Sequence, residues 1–361
     1  AMPARAAADD DRITAGRTLR FPRDHGAHPG ARIEWWYATG WLQGPGGDGG
    51  GLLGFQLTFF RSRTGVAADL PGRFAPRQLL FAHAAVTDVA ARRHDHAQRI
   101  ARWSGDDDAG LAAAALGDTD VRLGAWSLQH GADGRYQARL AGDGFALDLS
   151  LQTTQPVLLQ GEQGLSRKGP QEQQASHYYS QPQLAVSGRI TVGAQGTELP
   201  GRAWLDHEWS DEYLAPDAVG WDWIGINLFD GSALMAFRIR RGDGSALWAG
   251  GIHRPAGGAA RAFAADEVRF TPGRTWASAS SGARYPVQWQ VHTPAGRFQV
   301  LAVLGQFQLD GLALAHVHHQ PGQRHGVAVH VEAEFAEGLR RDGEGPGCRG
   351  GVCVERYRRR A

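Results

Sequence analysis

Residues 33–42 put Ile33, Trp35, Tyr37, Thr39 and Trp41 on one face of an extended chain and Glu34, Trp36, Ala38, Gly40 and Leu42 on the other. A run this rich in aromatic and β-branched side chains fits a pleated sheet and fits a helix poorly. A glycine-rich loop over 44–51 follows. Residues 52–61 then alternate Phe55, Leu57 and Phe59 with Gln56, Thr58 and Phe60, as a hairpin partner would. The 50 Gly and 12 Trp extend the argument to the whole chain, because hairpin turns consume glycine and half-buried sheets accommodate tryptophan. The expected fold is all-β. Further strands are expected at 79–88, 126–128, 136–140 and 145–152, as a pair within 176–192, and at 202–209, 221–229, 233–241, 247–253, 268–270, 285–292, 296–304 and 327–335. The Ala-rich piece at 110–116 is expected to form one short helix.

The 361 residues suffice for two ordinary domains, each burying its own core. A formal charge of +1, from 38 basic and 37 acidic residues, lacks the basic face of a nucleic-acid binder, so nucleic acid is not an expected partner. No apolar run reaches the length of a membrane span. The Ala1-Met2-Pro3 start reads as a cloning remnant on a polar leader, with any export signal expected to have been removed. Cys348 and Cys353 suit a short-loop disulfide or two free thiols equally, and two thiols alone make no structural zinc site.

The halves resemble each other. Glu34-Trp35-Trp36-Tyr37, then a hairpin and Phe60-Arg61, is echoed by Asp222-Trp223-Ile224-Gly225, then a hairpin and Phe237-Arg238. This predicts two similar antiparallel barrels or sandwiches. The expected division is a flexible arm at 1–24, a first domain at 25–198 and a second at 199–361.

Several segments together resemble a known family. They are His28-Pro29 through Glu34-Trp35-Trp36-Tyr37 and Gly40, Phe55 through Arg61, and Ala82-His83-Ala84 through Asp88. Tyr178-Tyr179-Ser180-Gln181-Pro182, Ala203-Trp204-Leu205-Asp206-His207-Glu208-Trp209-Ser210, and Gly220 through Trp223 with Asp230-Gly231 continue the match. The chain resembles the AttH-like and carotenoid 1,2-hydratase (CrtC-like) lipocalin-related proteins, often labelled secreted hydrolases, over roughly residues 25–355. The resemblance implies two consecutive lipocalin-like β domains in an exported, periplasmic or secreted bacterial protein, with envelope or peripheral membrane association. It spans hydratases, pericyclases and proteins of no settled activity, so it speaks to fold more than to reaction. His330-Val331-Glu332-Ala333 stands where the family carries Tyr-Trp-Glu-Gly, which weakens the aromatic lining there.

Hydration of an unactivated alkene needs a proton donor kept protonated by burial, aromatic faces to shelter the cation, and a positioned water. Asp222 shares a strand face with Ile224, Ile226 and Leu228, making it a candidate acid. The alternative is a carboxylate paired with an arginine or capping a loop amide. Asp206 and Glu208 fall with Trp204 on one face, and His207 falls with Leu205 and Trp209 on the other. The acids are candidate catalysts and His207 a candidate water-orienting or relay group, against a purely structural cluster. Glu34 is the first-half counterpart of Asp222, with a structural ion pair as its alternative, and Glu34, Trp35, Trp36, Tyr37, Trp209, Trp221 and Trp223 are expected to line the site. His83 reads as a core histidine and Asp230 as a turn residue.

His316, His318, His319 and His330 raise a metal hypothesis, but the Gln320-Pro321-Gly322 context reads as an exposed loop, as does Asp106-Asp107-Asp108. No metal is expected. Gly164-Leu165-Ser166-Arg167 lacks the context of a nucleophile elbow, and no phosphate loop or dinucleotide fingerprint occurs, so no cofactor is expected. The leading expectation is an enzyme doing hydratase, lyase or isomerase chemistry on an apolar isoprenoid, polyene or acyl substrate. The alternative is a lipid or pigment carrier. A third reading, a docking protein of an export system, predicts no deep cavity.

Overall fold

The computed structural model describes residues 11–43, 51–65, 76–105, 110–212, 214–277 and 284–302, with the backbone of 312–320 and 323–334. Its regular structure is β apart from one 3-10 turn, Arg23–His25. Two large antiparallel sheets carry the fold.

The first sheet runs, neighbour to neighbour, Arg93–Trp103, Gln78–Asp88, Leu52–Arg63, Ile33–Gln43, Gly201–Ser210, Ala175–Val192, Phe145–Gln152, Arg135–Gly142, Trp126–His130, Asp120–Leu123 and Ala112–Ala114. Arg93–Trp103 also packs against Arg135–Gly142 and Ala112–Ala114, so the sheet nearly closes on itself. The enclosed core includes Trp36, Phe59, Trp103, Trp126, Leu149 and Leu205. The second sheet runs Arg261–Phe263, Ala246–Arg254, Ala233–Arg240, Gly220–Leu228, Gln323–Glu334, Leu312–Gln320, Gly296–Ala302, Gln288–Thr293 and Arg269–Pro272. It closes over Ile224, Ala236, Phe270, Trp289 and Phe298. The all-β expectation, with two consecutive barrel-like halves, holds.

Four expectations are corrected. Gly201–Ser210 hydrogen-bonds between Ile33–Gln43 and Ala175–Val192, so the sheets divide after Ser210 and not at 198/199. Ala112–Ala114 is a strand paired with Asp120–Leu123. The stretch 110–116 is under two turns, too short to hold a helix by itself, and the small side chains of Ala112, Ala113 and Ala114 are buried beside the seam. Ala175–Val192 is one long strand, broken only by a register shift between Gln181 and Leu184. There Gln183 takes φ 58°, and its side chain and amide are pinned by Leu228 O, Ser232 O and Asn227 Oδ1 of the second sheet. That bulge clamps the halves together, with Asn227 Nδ2 returning a bond to Ala203 O. Finally, His316, His318 and His319 lie on the strand Leu312–Gln320 and not in a loop. Their side chains, that of His330, and the segments holding Cys348, Cys353 and Asp106 to Asp108 lie outside the described residues.

The internal echo has a structural counterpart. Glu34 lies directly opposite Arg61 and Trp35 opposite Phe60, while Asp222 lies opposite Arg238 and Trp223 opposite Phe237. In both halves an acid on the first hairpin strand faces an arginine on the second.

Candidate functional site

The strand Gly201–Ser210 is almost wholly buried, so each of its faces has a different neighbourhood. Leu205, His207 and Trp209 point toward the first sheet's core and the N-terminal segment. Trp204, Asp206 and Glu208 point toward the second sheet. The two-residue period placed all six on the faces they occupy.

On the first face, Glu34 is the hub. Its Oε1 lies 2.7 Å from His28 Nδ1 and 2.9 Å from His207 Nε2, and its Oε2 accepts from Arg61 Nε at 2.7 Å. Burial alone would raise the Glu34 carboxyl, but Arg61 and His28 beside it hold it well below the usual carboxylate range. Each partner is anchored on its far side. Arg61 donates to Gln78 Oε1 and to the carbonyls of His28 and Ala31. His28 Nε2 faces Asp24 Oδ1 at 3.0 Å, while His207 Nδ1 faces the Tyr179 hydroxyl at 3.1 Å, which in turn meets His25 Nδ1 at 2.7 Å. Trp209 stacks on His28 with centroids 3.6 Å apart, and Trp36 stacks on His207 at 4.6 Å. Burial lowers His25 to about 3 and His207 to about 4, so both rings are neutral at physiological pH.

Glu34 Oε1, His28 Nδ1 and His207 Nε2 are near enough to share a cation. Their separations are those of direct hydrogen bonds, and Arg61 already supplies positive charge to the same carboxylate. The trio is therefore satisfied as an ion-pair network. Sequence reasoning had marked Glu34, His207, Trp36 and Trp209 but not their partners. Arg61 and His28 lie inside the family segments, but their role is not legible there, because a charge on an inward strand position becomes informative only once its opposite residue is known.

On the second face, Asp206 accepts from Ser180 Oγ at 2.5 Å and Trp204 Nε1 at 2.7 Å. Burial pushes its carboxyl up to about 7; the bonds from Ser180, Trp204 and Tyr178 only partly offset that. Glu208 accepts from Ser176 Oγ at 2.5 Å and pairs with Lys168 Nζ at 2.9 Å. Ser176, Tyr178 and Ser180, alternating on the adjacent strand, thus meet Asp206 and Glu208 across one face. That Ser-x-Tyr-x-Ser alternation on a buried strand is the sequence signal of this face. Trp223 Nε1 donates to the Tyr178 hydroxyl at 3.0 Å, and Tyr37, Tyr178, Trp204, Trp223, Met235 and Phe237 form one inter-sheet cluster. Gly225 makes room for it: a Cβ there would sit 2.5 Å from the Trp223 ring.

Beside this cluster a cavity of about 660 Å³ opens between the sheets, within the ~300–1,000 Å³ typical of small-molecule sites. Met235, Phe237, Trp248 and Phe263 form its apolar wall. Leu165, Ser166 and Arg167 form the facing one, with Glu162 and Glu172 exposed at the mouth. Lys168 Nζ joins cavity to cluster. It lies 3.0 Å from Ser166 Oγ, 4.4 Å from the Phe237 centroid and 4.9 Å from that of Tyr178.

Two expectations about the site change. Asp222 does not face an apolar space: Arg238 donates to its Oδ2, and Arg240 Nε lies 3.4 Å away. Its strand neighbours Ile224 and Ile226 are apolar, but the cross-strand arginine decides its role. The expected lining residues Glu34, Trp35, Trp36, Tyr37, Trp209, Trp221 and Trp223 do not line this cavity, whose aromatics are Phe237, Trp248 and Phe263. Ser166 does line it, on a short strand paired with Ala175–Val192, which is not an elbow leading into a helix.

The comparisons agree with this architecture. A solved AttH-type protein from Nitrosomonas europaea is 44% identical, with a TM-score of 0.79, covering 89% of this chain and 98% of its own. Kievitone hydratase from Nectria haematococca shares the fold at 13% identity and a TM-score of 0.64, covering 90% and 96%. CghA does so at 12% and 0.56, covering 91% and 96%. No curated protein sequence matches significantly. The AttH-like family model matches residues 12–318. The chain belongs to the AttH-like family.

Proposed function

We propose that the protein is an acid–base enzyme of the hydratase or lyase type, acting on an apolar isoprenoid, polyene or acyl ligand held between the sheets. The observation that carries this reading is Asp206: a fully buried carboxyl, raised to about 7, inside an aromatic cluster on the face that adjoins the cavity. Such a group holds its proton near neutral pH and can donate it. Tyr178, bonded to Asp206 and reached by Lys168, is the group that would pass the proton toward the ligand. The faces of Phe237 and Phe263, which line the cavity, would stabilise positive charge that develops there. The Lys168–Glu208 pair would position the water and take up its proton. The fold shared with a hydratase is consistent with this chemistry without specifying it. An exported location belongs to the same proposal.

A carrier without turnover is the second reading, favoured by the fact that neither Asp206 nor Glu208 itself lines the cavity. The test is mass spectrometry of organic extracts from purified wild-type protein and Asp206→Asn, before and after incubation in isotopically labelled water. The enzyme reading expects both proteins to hold the same ligand and only the wild type to add or exchange the elements of water. Equal conversion by both removes Asp206 from the mechanism. A retained ligand that neither protein alters favours the carrier.

A further inference from the structure

The cavity wall contains a cation, Arg167, that forms no ion pair among the described residues. Arg61 faces Glu34 and Arg238 faces Asp222, and even Lys168, next in sequence, pairs with Glu208. Arg167 has no carboxylate partner among the described residues. Its Nη2 donates to the carbonyls of Gly169 at 3.1 Å and Pro170 at 2.8 Å, and its guanidinium carbon lies 5.3 Å over the Trp248 ring. Its Nε is buried with no acceptor. A half-buried arginine fixed by carbonyls and an aromatic face, with its Nη1 donors not used by those bonds, is preorganised to receive an anion. The opposite wall, Met235, Phe237 and Phe263, is apolar.

We propose that the inter-sheet cavity binds an amphipathic monocarboxylate, with its carboxylate on Arg167 and its chain along Phe237 and Phe263. This rests on the reading of that cavity as the ligand site and narrows its substrate class. Glu162 and Glu172 also border the cavity, but both are exposed at its mouth, where solvent screens them. They would oppose an acid entering and leave a neutral ligand unaffected.

The test is fluorescence titration of the full chain with cis-parinaric acid and with its methyl ester. The same titrations use Arg167→Gln, Glu172→Gln and Asp206→Asn. The acid is expected to bind about tenfold more tightly than the ester to the wild type, and about as tightly as the ester in Arg167→Gln. Glu172→Gln should tighten the acid about twofold and leave the ester alone. Equal binding of acid and ester by the wild type overturns the proposal, as does an acid preference that survives Arg167→Gln. Failure of both probes to bind overturns the cavity reading with it. Asp206→Asn separates this proposal from the catalytic one. An acid preference without turnover in any variant would sink the enzyme reading alone, and turnover lost in Asp206→Asn without an acid preference in the wild type would sink this one.

Discussion

Asp206 and His207 are adjacent on one strand, and burial drives them in opposite directions: the carboxyl up to about 7, the imidazole down to about 4. Both shifts favour the neutral form, as desolvation requires, but they act oppositely on stability. The folded protein holds the Asp206 proton more tightly than an unfolded chain does, so this contribution is present below pH about 4 and is lost as pH rises to about 7. The folded protein binds protons at His25, His177 and His207 more weakly, with values of about 3, 4 and 4 against an ordinary 6.5. Their contribution is present above pH about 6.5 and lost on acidification, while that of the lowered Glu34 is present above its ordinary value of 4.5 and lost only below it. Denaturant unfolding across pH should therefore show Asp206→Asn gaining on the wild type between pH 4 and 8, by on the order of 2–4 kcal/mol. A constant difference would contradict the raised carboxyl.

Removing the charge at Glu34 leaves Arg61 buried without its carboxylate. Glu34→Gln should cost about 3–5 kcal/mol, read as a lower denaturant midpoint. Arg61→Met alone should cost a similar amount, and the double variant should cost less than the sum of the two.

Asp222 and Asp206 separate in function. Asp222→Asn weakens the pair with Arg238 and should lose about 3 kcal/mol of stability while keeping any turnover the wild type has, once measured at a temperature where both are folded. Asp206→Asn should show the reverse: no stability loss at pH 8 and no turnover.

Gly225→Ala tests the packing of the inter-sheet cluster. The added methyl meets Trp223 at 2.5 Å and Trp204 at 3.0 Å, so the two rings must shift. A loss of about 1–3 kcal/mol with a changed tryptophan emission spectrum is expected.

Much of the fold was legible because strands advertise themselves by alternation. Alternation of period two marks most of the long strands and separates Asp206 and Glu208 from His207 and Trp209. It failed at Arg93–Trp103, a largely exposed strand whose polar sequence carries no apolar stripe. It also misplaced the boundary, because Gly201–Ser210 follows a turn that looks like a linker yet completes the first sheet. The site was less legible for a different reason. Arg167 and Lys168 sit just before the strand Ala175–Val192, while Phe237 and Trp248 belong to another sheet, and only the docking of the sheets brings them together. Asp222 shows the same limit. Its own strand is apolar, and the residue that governs it lies across the ladder.

The most direct test of the account is the titration of the Asp206 carboxyl. Carbon-13 NMR of protein labelled at the aspartate side-chain carboxyl, with Asp206→Asn providing the assignment, would follow it from pH 4 to 9. The account predicts a midpoint near 7. A midpoint at or below an ordinary aspartate value would mean that Asp206 is ionised throughout the physiological range, and the proposed proton donor would be absent.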